Sequence, residues 1–495
     1  LDKGVIDGVW GQNHEHPSLM KILFGLSHLY FHEKWELFKD ASTAFRFPGM
    51  VMSGMAVWVT YLFGARVFSR RAGVVAAVLL ATMPQLFYNA HLACFDVPIM
   101  AMWLLAVYIY YRSVQEGGLG WAIAFGIVYG LTLDTKHNAW ILPLVFVPHA
   151  FWVQRHAIAK NLKLGRLVIP TNLVTMALLG PLVLYALWPW LWSDTSERIQ
   201  EWVQFHTHHV YYNMEFLGKN YYEAPSPLGY MPLLVMATVP GITMLLFFIG
   251  IFDRLRALVM RFLASFKKEA RATSASDKSE ADILILLAFA GPLAVFLLPA
   301  TPIFGGTKHW LPAYPFLAMF AGYGFDLAAD KADAALPMLK NWNAQKTEIA
   351  HGIMMALVFV APIAETGHSH PFGIGAYVPT VGGFAGGADL GLNRQFWGYT
   401  TQSVGPWLEK NAPRNARVFI HDTTGDAWNR MQAEGRIRGD LRAVGAPGEA
   451  DFALVQHELH MNEVDDQIWV AYQNTAPAYV LTQDGVPFVS VYKRR

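Results

Sequence analysis

The stretch FRFPGMVMSGMAVWVTYLFGA, residues 45–65, decides the fold class of this chain. It holds one charged residue, Arg46, close to its beginning, and is otherwise almost entirely apolar. A helix needs about 20 consecutive apolar residues to cross the hydrocarbon core of a bilayer. This segment therefore predicts a transmembrane helix.

Similar apolar segments recur along the chain and predict about ten transmembrane helices in all. The segments at 97–111, 119–133, 139–153 and 310–324 are short for a full span, which predicts tilted or partly re-entrant helices. Together they indicate an α-helical multi-spanning membrane protein. The ten segments are residues 45–65, 72–90, 97–111, 119–133, 139–153, 167–190, 230–251, 283–304, 310–324 and 349–364.

Composition supports a membrane protein and excludes other classes. Hydrophobic residues make up 54% of the 495 residues and charged residues 15%, whereas charged residues are about a quarter of a typical soluble chain. The net charge of +1 offers no overall footprint for nucleic acid. The single cysteine, Cys94, excludes an intramolecular disulfide and a zinc-ribbon spacing.

Loop charges predict the orientation and the domain boundaries. Lysine and arginine near helix ends favour the cytoplasmic side, and they alternate along the chain so that residues 1–43 and the C-terminal segment lie outside the cell. The polar stretch at 267–282 reads as a linker. We therefore predict an outer first loop with an interfacial helix (1–43), a transmembrane domain (44–365) and a small outer soluble α/β domain (366–495).

Polar side chains collect in five clusters on the predicted outer face. Ionisable groups near a membrane are costly unless they pair or line an aqueous cavity, which makes them candidates for function. The clusters are His14-Glu15-His16-Pro17-Ser18-Leu19-Met20-Lys21, the segment from His91 through Asp96 to Pro98, Asp134-Thr135-Lys136-His137-Asn138, the loop with His206, His208, His209, Tyr212 and Glu223, and Gly305-Gly306-Thr307-Lys308-His309.

Two of these clusters contain candidate metal ligands. His14 and His16 flank the carboxylate of Glu15, which could hold a divalent metal or the counter-ion of a phosphate. A solvated loop that caps an interfacial helix is the alternative. The cluster with His208 lacks the spacing of established zinc motifs, and the tyrosines near it, such as Tyr212, also fit an interfacial aromatic belt.

Two of the other three clusters have both a functional and a structural interpretation, and the third, around Lys136, favours a function. Asp96, two residues before Pro98, suits both a functional carboxylate and a helix N-cap. Lys136 and its polar neighbours favour function. The glycines before Lys308 could form an anion cradle, or they could be a turn followed by a lysine that extends its ammonium to the interface.

In this order the clusters resemble the motifs of the protein mannosyltransferases that use dolichyl-phosphate-mannose and of their bacterial relatives, including the aminoarabinose transferases, all of the GT-C fold. The similarity runs from about Trp10 to Pro315. His16-Pro17-Ser18-Leu19-Met20-Lys21 resembles the family's HPPLxK, with Ser18 in place of the second proline. The segment from Leu92 to Pro98 resembles a family segment ending in Leu-Asp, Thr135-Lys136 resembles its TK element, and Lys308 to Pro315 resembles its RYLLPxYP stretch.

The departure from the family lies at the start of the chain. Family members carry an Asp-Glu pair after a first transmembrane helix, upstream of HPPLxK, and one of these carboxylates is taken as the catalytic base. Residues 1–13 contain no convincing match, with Asp2 and Asp7 candidates by position alone. The resemblance therefore predicts a truncated polypeptide whose acidic pair lies upstream of Leu1. The lumenal repeat domain of eukaryotic members is also unmatched, which predicts a bacterial relative.

The resemblance implies a glycosyltransferase that moves a sugar from a polyprenyl-phosphate carrier to an acceptor protein, lipid or glycan. The expected location is the bacterial plasma membrane, in contact with membrane lipid, with the active site on the periplasmic face. The expected cofactor is a divalent metal ion, and the alternative function is a secondary transporter or flippase for a lipid-linked or anionic substrate. The predicted catalytic residues are Glu15 and Asp96, the predicted substrate-binding residues are His16, Lys21, Lys136, His137, His209, Tyr212, Glu223, Lys308 and His309, and the predicted metal ligands are His14, His16 and His208.

Overall fold

The computed structural model describes residues 2–166, 168–265, 276–335 and 344–495, except for the side chains of residues 264–265 and 276–279. Most of the predicted linker at 267–282 lies outside these residues. The described part is mainly helical and ends in a small β-sheet domain. Its α-helices are α1 (Lys3–Trp10), α2 (Leu19–Ser27), α3 (Ala41–Val67), α4 (Arg70–Ala81), α5 (Pro84–Asn89), α6 (Asp96–Glu116), α7 (Leu119–Leu133), α8 (Leu142–Lys163), α9 (Thr171–Leu187), α10 (Thr195–Thr207), α11 (Tyr230–Thr238), α12 (Gly241–Ser265), α13 (Ser276–Ala294), α14 (Tyr314–Ala335), α15 (Ala344–Ser369), α16 (Gly383–Asp389), α17 (Gly405–Asn411), α18 (Gly425–Ala433) and α19 (Glu463–Tyr472).

Each of the ten predicted segments is helical over most of its length, which confirms the helical membrane class. Among the described residues, however, fewer than ten helical segments are long and apolar enough to be spans. Within the described ranges, four helical segments are long and apolar enough to cross a membrane by length and composition: α3, α6, Glu280–Leu297 and α15. Helices α11 and α12, bent by 117°, add a fifth if the pair is one span, and α7 and α9 are apolar but shorter.

Prolines explain where two predicted spans are interrupted. The segment at 72–90 divides after α4, because Pro84 begins α5 and the preceding Met83 has extended backbone (φ −84°, ψ 117°). The segment at 230–251 bends in the same way at Val239 (φ −95°, ψ 128°), which precedes Pro240. A residue before proline is disfavoured in the helical conformation. Apolar composition alone therefore overestimated the continuous helix at both places.

Small residues allow two helices of the bundle to cross at close range. A Cβ atom on Gly250 of α12 would lie 2.0 Å from the carbonyl oxygen of Phe320, and one on Gly324 of α14 would lie 2.0 Å from that of Leu246. Such backbone contact between helices is a general packing mode in membranes. The α12–α14 pair therefore depends on glycine at both positions.

The C-terminal part contains a five-stranded mixed sheet, in agreement with the predicted α/β domain. The strand order is β4-β3-β5-β7-β6, with β3 parallel to β4 and β5, and β7 antiparallel to β5 and β6. Val418, Leu454 and Phe488 lie fully buried in its core. The strands, which include a separate two-stranded hairpin before α11, are β1 (Met214–Phe216), β2 (Lys219–Tyr221), β3 (Arg417–Phe419), β4 (Arg442–Val444), β5 (Phe452–Gln456), β6 (Tyr479–Gln483) and β7 (Val486–Lys493).

The sheet domain packs against the helical part beside the beginning of α3. The Glu434 carboxylate accepts a hydrogen bond from the Ser42 amide at 2.9 Å, and the rings of Tyr88 and Tyr399 meet edge to face at 5.1 Å. A cavity of about 380 Å³ lies at this junction, with Arg46, Tyr88 and Trp397 among its lining residues. The C-terminal domain thus forms one wall of a cavity whose other wall is the bundle.

Candidate functional site

A buried ion pair joins the beginning of α6 to the turn after α7. The Lys136 ammonium donates to the Asp96 carboxylate at 2.6 Å, and the two side chains are 10% and 11% exposed. Asp96 lies in the first turn of α6, while Lys136 is extended between α7 and a short 3-10 turn. Removing either partner would leave a buried charge uncompensated, which is strongly destabilising.

Ser18 connects the HPPLxK-like segment to this same turn. Its amide donates to the Asp134 carboxylate at 3.1 Å, and its hydroxyl lies 3.0 Å from that carboxylate and 2.7 Å from the carbonyl oxygen of Leu187. The Leu19 amide donates to the Asp134 carbonyl oxygen at 3.1 Å. A proline at position 18 has no amide hydrogen to donate. The residue that departs from the family pattern therefore makes a contact that proline could not make.

Histidine rings of these two segments and of α10 lie close together. The rings of His137 and His206 are 3.6 Å apart between centroids and nearly parallel, and His16 stacks on Phe95 at 4.6 Å. His206 Nε2 lies 3.0 Å from the carbonyl oxygen of Glu15. Burial lowers the pKa of His16 to about 3 and that of His206 to about 4. Both imidazoles are therefore neutral at pH 7 and supply no positive charge.

Lys308 is a partly buried cation held by aromatic rings instead of a carboxylate. Its ammonium lies 4.6 Å from the ring centre of Phe304 and 4.7 Å from that of Trp397, a cation–π arrangement. It forms no ion pair with any residue in the described ranges. Burial lowers the pKa of Lys308 below its ordinary value, and the Asp96 carboxylate opposes this shift. The charges of Asp96, Lys136 and Lys308 thus act on one another.

Glycine is needed to bring Lys308 and Trp397 together. Gly305 has a φ of +71°, and a Cβ atom there would lie 2.6 Å from the Trp397 ring and 2.8 Å from Lys308 Cε. A non-glycine residue would be strained in this backbone conformation and would also collide with both side chains. We call Asp96, Lys136, Lys308 and His309 the polar centre.

His309, His209 and Tyr212 surround the Phe304 ring beside the polar centre. The Phe304 amide donates to His309 Nε2 at 3.2 Å. His209 stacks on the Phe304 ring at 5.1 Å, and Tyr212 meets it edge to face at 5.0 Å while remaining 54% exposed. The long loop after α10 therefore reaches the same place as the turn that carries Lys308.

Other predicted site residues lie apart from the polar centre. His14 pairs with Glu201 at 3.0 Å, and Lys21 donates to the Asn13 carbonyl oxygen at 2.5 Å. Glu15 is partly exposed, whereas His208 and Glu223 are exposed. The structure thus groups the predicted residues of α6, the turn after α7 and the Lys308 turn, and leaves these five outside.

The predicted metal ligands His14, His16 and His208 do not come together as a group. Among the described ranges, the cluster with metal-ligand spacing is Glu215, Glu458 and His460.

Several residues that complete the site were not among the predicted site residues. His206 and Asp134 lie inside the polar clusters of the sequence, but nothing in the sequence distinguished them from their neighbours there. Trp397 and Phe304 carry no local signal, because their role depends on the position of Lys308 between them.

Part of the chain is similar in sequence to a known protein family. Residues 34–192 match the sequence model of the family described as "Dolichyl-phosphate-mannose-protein mannosyltransferase". That range includes Asp96 and Lys136, and it confirms the resemblance drawn from the motifs. The HPPLxK-like segment and the Lys308 turn lie outside the matched residues.

One curated relative and two solved structures are also similar. Over 75 residues the chain is 36% identical to "Dolichyl-diphosphooligosaccharide--protein glycosyltransferase subunit STT3B" of Arabidopsis thaliana, which is 14% of this chain and only 10% of the plant protein. ArnT from Cupriavidus metallidurans bound to undecaprenyl phosphate aligns over 96% of this chain and 88% of its own, with 15% identity and a TM-score of 0.44. AglB from Archaeoglobus fulgidus, in complex with an inhibitory peptide and a dolichol-phosphate, aligns over 96% and 66%, with 11% identity and a TM-score of 0.47.

Proposed function

We propose that this protein is a membrane glycosyltransferase that moves a sugar from a polyprenyl-phosphate carrier to an acceptor on the outer face of the membrane. The observation that carries the proposal is Lys308, whose ammonium is held by two aromatic rings without a carboxylate partner among the described residues. With Asp96 and Lys136 beside it, the polar centre holds two positive charges and one negative charge. A bound phosphate would neutralise this excess.

The reaction needs two kinds of group at this place. The bond between the anomeric carbon and the carrier phosphate breaks, a bond from that carbon to the acceptor oxygen forms, and the acceptor proton passes to a base. Lys308 and Lys136 would stabilise the negative charge that develops on the departing polyprenyl phosphate. His309, His137, His209 and Tyr212 would contact the donor around them.

Glu15 and Asp96 are the carboxylates proposed to act on the acceptor. Asp96 is already held by Lys136 at 2.6 Å, whereas Glu15 forms no ion pair within the described ranges. The cavity of about 380 Å³ beside Trp397 has the size of a small-ligand site and could accept the sugar or the acceptor. The substrate-binding roles of His16, Lys21 and Glu223 stay predictions.

Donor binding tests the proposal directly. The purified protein in detergent is titrated with undecaprenyl phosphate, and the Lys308→Gln variant is compared with the Lys219→Gln variant, whose lysine is exposed on β2. Hydrogen bonds to charged groups contribute about 1.5–3 kcal/mol, so Lys308→Gln should weaken binding about 10- to 150-fold, with Lys219→Gln unchanged. Equal binding by all three proteins would refute the phosphate site.

Transfer is measured separately from binding. Release of sugar from a radiolabelled polyprenyl-phosphate sugar is followed with the Glu15→Gln variant, and with Asp96→Asn only where thermal unfolding shows that it is still folded, because this change leaves Lys136 unpaired. Loss of a general base should slow release about 10²- to 10⁴-fold. If neither variant slows transfer by the active protein, the base lies elsewhere.

Orientation has its own test. In a Cys94→Ser background, cysteines placed at the exposed positions Thr482 and Lys160 are treated with an impermeant thiol reagent on intact cells. The proposal expects labelling at 482 and protection at 160, and the reverse pattern would place the polar centre on the other face.

A further inference from the structure

A second cluster of ionisable groups lies where the β1–β2 hairpin meets the sheet domain. The Glu215 carboxylate on β1 accepts a hydrogen bond from the His460 amide at 3.1 Å and lies 3.0 Å from His460 Nδ1. The Glu458 carboxylate, just after β5, lies 3.8 Å from the same nitrogen. One ligand atom from each of the three residues falls within 4.8 Å of the other two.

Both carboxylates of this cluster are buried, and one is not satisfied. Glu215 is 4% exposed and Glu458 is 7% exposed. The Glu458 Oε1 atom is buried without a hydrogen-bond partner. Burying an ionised carboxylate costs several kcal/mol unless a cation or donors compensate it. No lysine or arginine in the described ranges forms an ion pair with either residue, although Arg394 lines the adjacent cavity.

Space for a ligand exists at the same place. Glu215, His457 and Glu458 line a cavity of about 250 Å³ between the hairpin and the sheet domain. A buried, unpartnered carboxylate oxygen beside such a cavity is an independent sign of a bound cation. The cavity leaves room for water to complete the coordination of an ion.

We propose that Glu215, Glu458 and His460 bind one divalent transition-metal ion that ties the β1–β2 hairpin to the C-terminal sheet domain. Two carboxylates and one imidazole are ligands that Zn²⁺ accepts in three-protein-ligand sites, with water in the fourth position. Around Zn²⁺, with bonds of about 2.0–2.2 Å, tetrahedral ligand atoms lie about 3.4 Å apart. The distances of 3.0 and 3.8 Å to His460 Nδ1 bracket this value.

Binding would change the role of His460 Nδ1. In the metal-free arrangement that nitrogen can donate its hydrogen to Glu215, whereas a metal-bound imidazole offers Nδ1 as a lone pair and keeps its hydrogen on Nε2. The ion would also order the chain that leads into β1. That chain carries His209 and Tyr212, so the metal would hold the loop beside Phe304 in place. The inference does not depend on the proposed function.

Metal binding by the full-length purified protein tests this site. After treatment with a chelator and its removal, Zn²⁺ is added and bound metal is measured by calorimetry and elemental analysis. The wild type should bind one Zn²⁺ at this site, and Glu458→Gln and Glu215→Gln should each weaken it at least about tenfold, in line with losses seen on disturbing metal sites. Glu463→Gln, which removes an exposed carboxylate on α19, is the matched control.

The midpoint of thermal unfolding distinguishes a Glu458 that binds a metal ion from one whose carboxyl group is only buried. Added Zn²⁺ should raise the midpoint of the wild type and of Glu463→Gln, and should raise that of Glu458→Gln much less, because a bound ion stabilises the folded state. An equal rise in all three proteins, or equal Zn²⁺ binding by wild type, Glu458→Gln and Glu463→Gln, would overturn the proposal.

Discussion

Breaking the Asp96–Lys136 ion pair should destabilise the protein far more than breaking an exposed pair. The perturbation is Lys136→Met, which keeps the length of the side chain and removes its charge. Asp96 would then be a buried carboxylate at the beginning of α6 without its partner at 2.6 Å. Asp96→Asn and the double variant complete a thermodynamic cycle.

The magnitude follows from the burial of the pair. Both side chains are about a tenth exposed, and removing one partner of a buried pair costs about 3–5 kcal/mol. The double variant carries no unpaired charge and should recover a large part of that loss, with a coupling energy of about 2–3 kcal/mol. Arg417 and Asp451, 3.0 Å apart but 48% and 39% exposed, form the control pair. Arg417→Met should cost less than about 1 kcal/mol.

Unfolding of the detergent-solubilised protein, followed by tryptophan fluorescence during a denaturant titration, measures these free energies. We expect Lys136→Met to lose at least about 2 kcal/mol more than Arg417→Met. Equal losses for the two variants, or a double variant as unstable as the sum of the single ones, would show that the pair is not an isolated buried unit.

Three further outcomes follow from named contacts. Ser18→Ala, which keeps the amide but loses the hydroxyl, should lower the free energy of unfolding by about 0.5–1.5 kcal/mol, and Ser18→Pro should lower it more, because proline also lacks the amide hydrogen that is donated to Asp134. Ser196→Ala, at an exposed position of α10, should be near neutral in the same unfolding titration. Gly305→Ala should destabilise by about 1–3 kcal/mol and weaken undecaprenyl phosphate binding, whereas Gly425→Ala, with free space around its Cβ position, should do neither. The folded-state pKa of His206 is lowered to about 4, so the unfolded chain binds more protons below pH 6.5 and the stability should fall as the pH drops from about 6.5 to 4. Thermal midpoints measured from pH 7.5 to 4.5 should fall less steeply for His206→Phe than for the wild type. Identical slopes for the two proteins would contradict the lowered pKa of His206.

The local sequence was sufficient to predict the main secondary-structure elements and the polar clusters. Apolar runs such as residues 45–65 become helices because their backbone groups must be satisfied within the segment in lipid, and α3 covers that run completely. Apolar runs that alternate with amphipathic stretches after residue 366 likewise predicted a small C-terminal α/β domain. The polar clusters were visible since charged groups are rare in such a composition. Prolines set the interruptions, yet the number of continuous spans was overestimated where Pro84 and Pro240 break the helices.

Only the tertiary structure decided which of these groups meet. Asp96 and Lys136 are 40 residues apart, Ser18 and Asp134 are 116 apart, and Glu215 and His460 are 245 apart in the chain. Such contacts depend on how whole helices and the sheet domain pack, which no local pattern encodes. The same packing left His14, His16 and His208, which the sequence suggested as metal ligands, without a common site, and placed Trp397 of the C-terminal domain over Lys308 of the bundle. Residue type thus determined what chemistry was available, and long-range packing determined which charges and rings were close enough to act together.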